Sequence, residues 1–253
     1  MCIAGRVSAC DARLMSKSIL WFRQDLRLYD QPALVAALAE GAVLPVYILD
    51  EETPGLRPMG GAQLWWLHHS LSSLAASLAE KGSGLIFRRG RSAEVLAAIS
   101  LETGIKRVHA LHHYEPGWKT AETESAKQVE LVLHHGNHLS PPASILTGSG
   151  GRYRVFTPWW RSLLSHMPPA RPVPAPETMP LAMQCKSDDF SDWGLLPTTP
   201  DWSGGFSVWS PGEAGAQAAL REFLPKMTAY DDTRNLPSVD GTSRLSPHIH
   251  FGE

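Results

Sequence analysis

From Ser18 to about Ser140, short apolar runs alternate with segments of helical periodicity, and this alternation confines the chain to β-α-β units wound into a parallel sheet. The runs are SILWF (18–22), VLPVYIL (43–49), LIFR (85–88), RVHAL (107–111) and HHGNHL (134–139). Each is short and nearly continuous, as strands covered on both faces are. Between the second and third runs, Leu64, Leu67, Leu71, Leu74 and Leu78 recur at spacings of three and four, which puts five leucines on one face of a helix. Asp30 ahead of Gln31-Pro32 reads as an N-cap with proline in the first turn, and Gly82 and Gly84 end the leucine-rich helix. Trp118, Ala121, Ser125 and Val129 share the sheet-facing side of a later helix, so Trp118 reads as packing. The prediction is an α/β fold with a doubly wound, parallel, five-stranded sheet over residues 18–140.

Composition excludes the other broad classes. Of 253 residues, 43% are hydrophobic and 19% charged, which is neither a disordered nor a fibrous chain. Lys and Arg number 23 against 25 Asp and Glu, so the net charge of −2 gives no global attraction to nucleic acid or membrane. No apolar run approaches a membrane span. Cys2, Cys10 and Cys185 form no C-x-x-C pair, so neither a disulfide framework nor a zinc site is indicated, and a reducing, cytoplasmic setting follows. Arg6, Asp11 and Arg13 break the opening stretch, so it lacks the apolar core of a signal peptide. Residues 1–17 read as a leader outside the fold, with Met15 as an alternative start.

The character changes after Ser140. Twelve of the twenty prolines lie between Pro141 and Pro211, together with Trp159, Trp160, Trp193, Trp202 and Trp209. Residues 141–209 therefore read as a connection that runs over the surface, pinned by its tryptophans. Within it, residues 141–176 carry Arg152, Arg154, Arg161 and Arg171 and no acid. Ser210-Pro211-Gly212-Glu213 has the form of a capping box and opens a helical segment, residues 210–253, too short to close a core alone.

Three groups of residues carry potential chemistry. Arg23, Gln24, Asp25 and Arg27 follow the first strand, where open parallel sheets place their ligands. They read equally as ion pairs that hold the loop. Gly241-Thr242-Ser243-Arg244-Leu245-Ser246-Pro247 brings hydroxyls, backbone N–H groups and an arginine to a helix start, which suits an anion or an ordinary cap. His134, His135 and His138, with His68, His69, His112 and His113, have no Asp, Glu or Cys at ligand spacing, so no metal is expected. Neither a G-x-G-x-x-G turn, a P-loop nor a G-x-S-x-G elbow is present.

The order of ILWFRQDLRLYD (19–30), VLPVYILDEE (43–52), HHYEPGW (112–118) and DGTSRLSPHIHFGE (240–253) resembles the DNA photolyase/cryptochrome family, most nearly the class I photolyases for cyclobutane pyrimidine dimers. The resemblance implies a Rossmann-like antenna domain followed by an all-α FAD-binding domain. It implies light-driven repair of pyrimidine dimers in DNA by electron transfer from reduced FAD, by a monomer. By motif, Tyr230, Thr242, Ser243, Arg244, Leu245 and Ser246 would contact FAD, and Arg234 would lie on the DNA face. Some members carry an Asn-Glu pair for a folate antenna where Gly117 and Trp118 stand here, which points to a deazaflavin or another chromophore. The family's chain is longer, so the sequence reads as an N-terminal fragment without the lesion-contacting and electron-transfer residues. A cryptochrome photoreceptor without repair and a nucleotide-binding α/β module without flavin are the alternatives.

Overall fold

The computed structural model describes residues 16–253. Most of the expected leader, with Cys2 and Cys10, lies outside the described residues. The leader's last residue does not: the first strand, β1, begins at Lys17 (Lys17–Phe22). Helix α1 (Pro32–Glu40), β2 (Ala42–Leu49), α2 (Gly61–Glu80), β3 (Ile86–Arg89), α3 (Ser92–Thr103), β4 (Arg107–Leu111), α4 (Pro116–Ser125) and β5 (Glu130–His134) follow in strict alternation. Beyond them come α5 (Phe156–Leu164), α6 (Glu213–Phe223), α7 (Tyr230–Thr233) and α8 (Ser246–Phe251), with three short 3-10 turns between α5 and α7.

The five strands lie in the order β3-β2-β1-β4-β5, all parallel, in register Ser18↔Val43 and Ile19↔Val108 at the centre. Alternation along β1 divides the core into two layers. Leu20 and Phe22 point to the face covered by α1 and α2, among Leu34, Ala37, Leu67, Leu71 and Leu78. Ile19 and Trp21 point to the face covered by α3 and α4, among Leu96, Ile99 and Ala121. The chain winds one way from β1 to β3 and the other from β4 to β5, so the sheet's switch point lies between the carboxyl ends of β1 and β4.

The fifth strand is ELVLH, four residues earlier than the expected HHGNHL. As an edge strand it is half-exposed and loses the dense apolar run on which the search relied. His134, the first residue of HHGNHL, ends β5, and the rest of the run supplies the following turn, where a Cβ on Gly136 would come within 2.9 Å of Leu111. Asp30 is not the N-cap of α1: Gln31 holds that position, while Asp30 adopts φ 51° and its carboxylate accepts from Val173 N at 3.3 Å. The capping box at Ser210 does not form either. The N-cap of α6 is Gly212, with φ 103° and its backbone pressed against Ser73, a position where any side chain would clash. Glu213 instead reaches across the molecule and accepts from Leu28 N at 2.9 Å and Tyr29 N at 3.0 Å.

The connection is pinned by two of its five tryptophans, Trp193 and Trp209, the latter against Trp66 at 5.5 Å, and also by its backbone. Trp193 is buried against Tyr47 and Phe87, but Trp202 remains substantially exposed. Much of the anchoring is backbone: Val43 N donates to Pro180 O, Ala182 N to Val43 O, and Met179 N to Lys81 O, with Met179 fully buried. Residues 179–195 are thus tied to the α/β unit through Met179, Ala182, Trp193 and Leu195, whereas residues 152–161 stand largely exposed. Trypsin should therefore cut at Arg152, Arg154 and Arg161 well before any site in residues 18–140 or 179–195. Mass spectrometry of a limited digest checks this, and early cleavage at Lys186 would contradict it.

Candidate functional site

At the end of β1 the chain buries a charged side chain where the sheet's two halves diverge. Arg23 is 2% exposed; its Nη1 donates to Glu122 Oε1 at 2.8 Å, its Nη2 donates to Leu111 O, and its guanidinium lies 4.3 Å over the Trp21 ring. Glu122, from α4, also accepts from His113 N at 2.8 Å and faces His112 Nδ1 at 2.6 Å. One ion pair thereby ties β1, β4 and α4 together. Asp25 is equally buried and accepts from Arg23 N at 2.6 Å and Gln31 Nε2 at 2.8 Å. Burial pushes the Asp25 carboxyl up and the Arg23 guanidinium down from their ordinary values, each opposed by the other's charge.

The two readings of this loop therefore divide by residue. Arg23 and Asp25 are structural. Arg27 and Gln24 face a cavity of about 980 Å³ over the switch point, whose walls also include Arg57, Glu115, Trp118 and Asn137. Arg27 joins the cavity's rims by donating to Asp30 O, Gly136 O, Asn137 Oδ1 and Gly252 O. Trp118 does more than pack. Ala121 and Ser125 on its helical face are buried as expected, Val129 is buried beyond the helix end at Ser125, and the Trp118 ring meets Trp21 edge-on at 6.4 Å, yet it also forms part of the cavity wall. Gly117 beside it is required sterically, because a Cβ there would lie 2.5 Å from Leu56 N and 2.6 Å from Gly55 C.

Two further groups line this cavity: Asp50, which the sequence reading did not single out, and His113, which it weighed only as a metal ligand. Asp50, just beyond β2, caps α3: it accepts from Ser92 N at 2.8 Å, Thr53 N at 2.9 Å and Glu52 N at 3.0 Å. Desolvation raises its pKa, but the donors from Ser92 and Thr53 outweigh that and hold the carboxyl below its usual range. His113 is buried with its Nε2 unpartnered, and burial, helped by the positive charge of Arg23, drives its pKa down to about 2. The sequence signal for both was position alone, at the carboxyl end of a central strand. Elsewhere His109 is buried between His134, 2.9 Å away, and Glu40, 3.3 Å away. Among the described residues no group of three or more His, Cys, Asp or Glu side chains is placed to hold a metal ion.

A second, smaller cavity of about 200 Å³ lies between α6 and the 240–248 segment. Thr242, Ser243 and Arg244 line it with His248, Lys226 and Asp240. Gly241 seats the turn on α7, where a Cβ would come within 2.4 Å of Thr233 Oγ1, and Arg244 adopts φ 53° with its guanidinium 3.4 Å from Asp240. Lys226 pairs with the same Asp240 at 2.7 Å. Leu245 and Ser246, the N-cap and first residue of α8, do not line this cavity. Tyr230 also lies outside its lining, its ring against Phe223 at 5.8 Å, and the Arg234 guanidinium stacks 5.5 Å over Tyr230.

A doubly wound sheet with its large cavity at the switch point, a long Pro-rich wrap and a helical segment bearing a hydroxyl-rich turn defines a recognisable class. Residues 18–177 match the DNA photolyase family, and the chain belongs to that family. It is 41% identical over 244 residues to the deoxyribodipyrimidine photo-lyase of Agrobacterium fabrum, covering 93% of this chain and 50% of that protein. It is 32% identical over 259 residues to Cryptochrome-2 of Arabidopsis thaliana, covering 95% of this chain and 42% of that one. The crystal structure of a bacterial class III photolyase from Agrobacterium tumefaciens superposes with TM-score 0.88 at 38% identity, covering 99% of this chain and 52% of the other. The chain thus spans about half the length of the relatives it matches.

The buried groups give two predictions. Glu122→Ala leaves the Arg23 guanidinium buried without its carboxylate, so unfolding in urea should show a loss of about 3–5 kcal/mol. His113 takes up a proton near 6.5 when unfolded but only near 2 when folded, so its contribution to stability is complete above the first value and is lost as pH falls towards the second. His113→Asn should flatten the dependence of unfolding free energy on pH between about 6 and 4 by roughly 1.4 kcal/mol per pH unit. An unchanged slope would show that the side chain titrates normally.

Proposed function

We propose that the chain comprises the antenna-type α/β domain (residues 18–140), the connection (141–209) and the opening of the helical FAD-binding domain (210–253) of a deoxyribodipyrimidine photolyase. The observation that carries this reading is the 41% identity to a photo-lyase along 93% of the chain, a span that includes most of both cavities. The motifs resemble class I members and the superposed relative is class III, so the proposal is made at the level they share: light-driven splitting of pyrimidine dimers in DNA. The similarity to Cryptochrome-2 supports the second reading, a photoreceptor that keeps the flavin without repair.

The small cavity suits part of an FAD. The hydroxyls of Thr242 and Ser243 and the guanidinium of Arg244 are the donors a diphosphate needs, with Lys226 offsetting Asp240. Its volume of about 200 Å³ is below that of a complete ligand site, so it forms one wall of the flavin pocket. FAD, when bound and reduced, supplies the electron for dimer cleavage. Thr242, Ser243 and Arg244 hold its anionic portion, while Tyr230, Leu245 and Ser246 flank them. Arg234, exposed and without a carboxylate partner among the described residues, meets a DNA phosphate. The damaged base pair is poorly stacked, which lowers the cost of extruding it from the duplex. The large cavity holds an antenna chromophore against Trp118, a planar one other than folate, such as a deazaflavin. The protein acts as a cytoplasmic monomer.

Because the chain covers half of its relatives, the test uses residues 1–253 joined to the second half of the Agrobacterium relative. The product should be yellow and should repair dimers under blue light, whereas residues 1–253 alone should be colourless. Ser243→Ala with Arg244→Ala should strip most of the flavin on gel filtration, at roughly 1.5–3 kcal/mol for each charge-assisted hydrogen bond lost. Arg234→Ala should keep the flavin and reduce the salt slope of duplex binding by about 0.9. A yellow product without repair would favour the photoreceptor, and one without flavin would leave the nucleotide-binding module.

A further inference from the structure

His248, on α8, is 3% exposed and borders the small cavity. Its Nδ1 lies 2.5 Å from Glu253 Oε2, and the Glu253 side chain is completely buried. Two donors from α2 fix the orientation of that carboxylate: Trp66 Nε1 at 3.2 Å and Ser70 Oγ, both on Oε1. The Trp66 ring also stands edge-on to His248, with centroids 4.9 Å apart. Among the described residues Glu253 meets no lysine or arginine, so His248 is the one partner that can offset its buried charge. His248 Nε2, in contrast, has no hydrogen-bond partner among the described residues, and it is not sealed from solvent as His113 Nε2 is. For a side chain buried this deeply, the opening is the small cavity.

The hydrogen bond at one ring nitrogen of a histidine sets the state of the other. Because Glu253 accepts at Nδ1, that nitrogen carries a proton, and Nε2 is where the ring gains or loses its second. The remaining charges on the cavity wall cancel: Lys226 and Arg244 both pair with Asp240, and Lys226 pairs also with Glu222. Helix α2 meets the His248–Glu253 pair through Trp66 and Ser70, neither of which is charged. A diphosphate entering this cavity therefore needs one more positive charge on the wall, and His248 is the group that can acquire it. We propose that His248 is a phosphate-binding residue of the small cavity, positioned by Glu253, and that its Nε2 is protonated on binding and donates to a phosphate oxygen. The proton comes from solvent and returns to it on release. That the anion is the diphosphate of FAD rests on the flavin reading of this cavity, whereas the role of His248 requires only the anion.

The test titrates the 253-residue chain, isotopically labelled at its histidine ring nitrogens, with ADP-ribose. The doubly esterified diphosphate of this probe keeps its charge between about pH 5 and 8, the range in which an imidazole changes its own. Binding to a single wall of a pocket is weak, so millimolar ligand and NMR at equilibrium are used. The His248 ring, assigned through the backbone resonances, should move to its imidazolium position in the complex. Affinity should fall as pH rises, by as much as about tenfold per unit where binding takes up one proton. His248→Gln keeps a hydrogen-bond donor without the titration and should bind with no dependence on pH. Glu253→Gln should flatten the dependence as well, with binding at low pH weakened towards that of His248→Gln. A His248 ring that stays neutral in the complex would overturn the proposal, and this is read in the unsubstituted chain even where a variant fails to fold. So would a pH slope that survives in His248→Gln, or no binding of ADP-ribose at any pH. If the chimera with the Agrobacterium relative takes up no flavin while His248 still responds to ADP-ribose, the photolyase reading alone fails. If the chimera is yellow while His248 ignores the probe, this proposal alone fails.

Discussion

The Arg23–Glu122 pair at the switch point is the contact on which the rest of the architecture turns. A guanidinium withdrawn from water at the carboxyl end of the central strand is tolerable only if its donors are taken up. Here they are taken by a carboxylate from α4 and the terminal carbonyl of β4, with Trp21 beneath. The pair fixes the separation of the β1 and β4 ends, which is the width of the crevice above them. Glu122 then spends its remaining acceptor capacity on His113 N and His112, orienting the loop that forms another wall. The large cavity is therefore bounded by groups whose positions follow from one buried charge.

The second dependence runs from this crevice to the C-terminal segment. Glu213 accepts from two backbone amides of the loop after β1, Leu26 N donates to Phe251 O, and Arg27 donates to Gly252 O. Glu253 meets Trp66 Nε1 at 3.2 Å and His248 Nδ1 at 2.5 Å. The helical segment is thus docked through polar contacts with the same β1 loop that carries Arg23 and Arg27, together with the buried ring of Phe251. Of its apolar residues Phe251 joins the core, whereas Leu220, Leu224 and Ile249 remain exposed. The two cavities consequently share a frame: His248 borders the small one and His250 the large one, both from α8.

What the sequence disclosed follows from which physical signals are local. Burial on both faces writes itself into consecutive residues, so the three inner strands β1, β2 and β4, the edge strand β3 with its LIFR run, and the leucine face of α2 were legible to within a residue or two. The edge strand β5, none of whose residues is fully buried, leaves a weaker trace and was displaced into HHGNHL for that reason. Capping patterns failed at Asp30 and Ser210 because the side chains that would have capped found distant partners, Val173 and the amides of residues 28 and 29. The local pattern could not register competition from 143 or 185 residues away. The same limit hid Glu122, whose partner Arg23 is 99 residues distant.

The site residues divide along the same line. The turn 241–244 was visible because its glycine, hydroxyls and arginine are contiguous, and the fold gathers Thr242, Ser243 and Arg244 around one cavity. Tyr230 and Arg234 stack on each other beside it, an arrangement set by one helical turn between them. The large cavity had no contiguous signature at all. It is assembled from the segments that follow β1, β2 and β4, the turn after β5, the start of α2 and the residues of and just beyond α8. Only the topological rule that parallel sheets bind at their carboxyl ends pointed there, and it identified the loop rather than the roles within it. Arg23 and Arg27, four residues apart in one motif, end as a buried strut and a cavity-lining clamp because β1 closes over the first and its loop exposes the second.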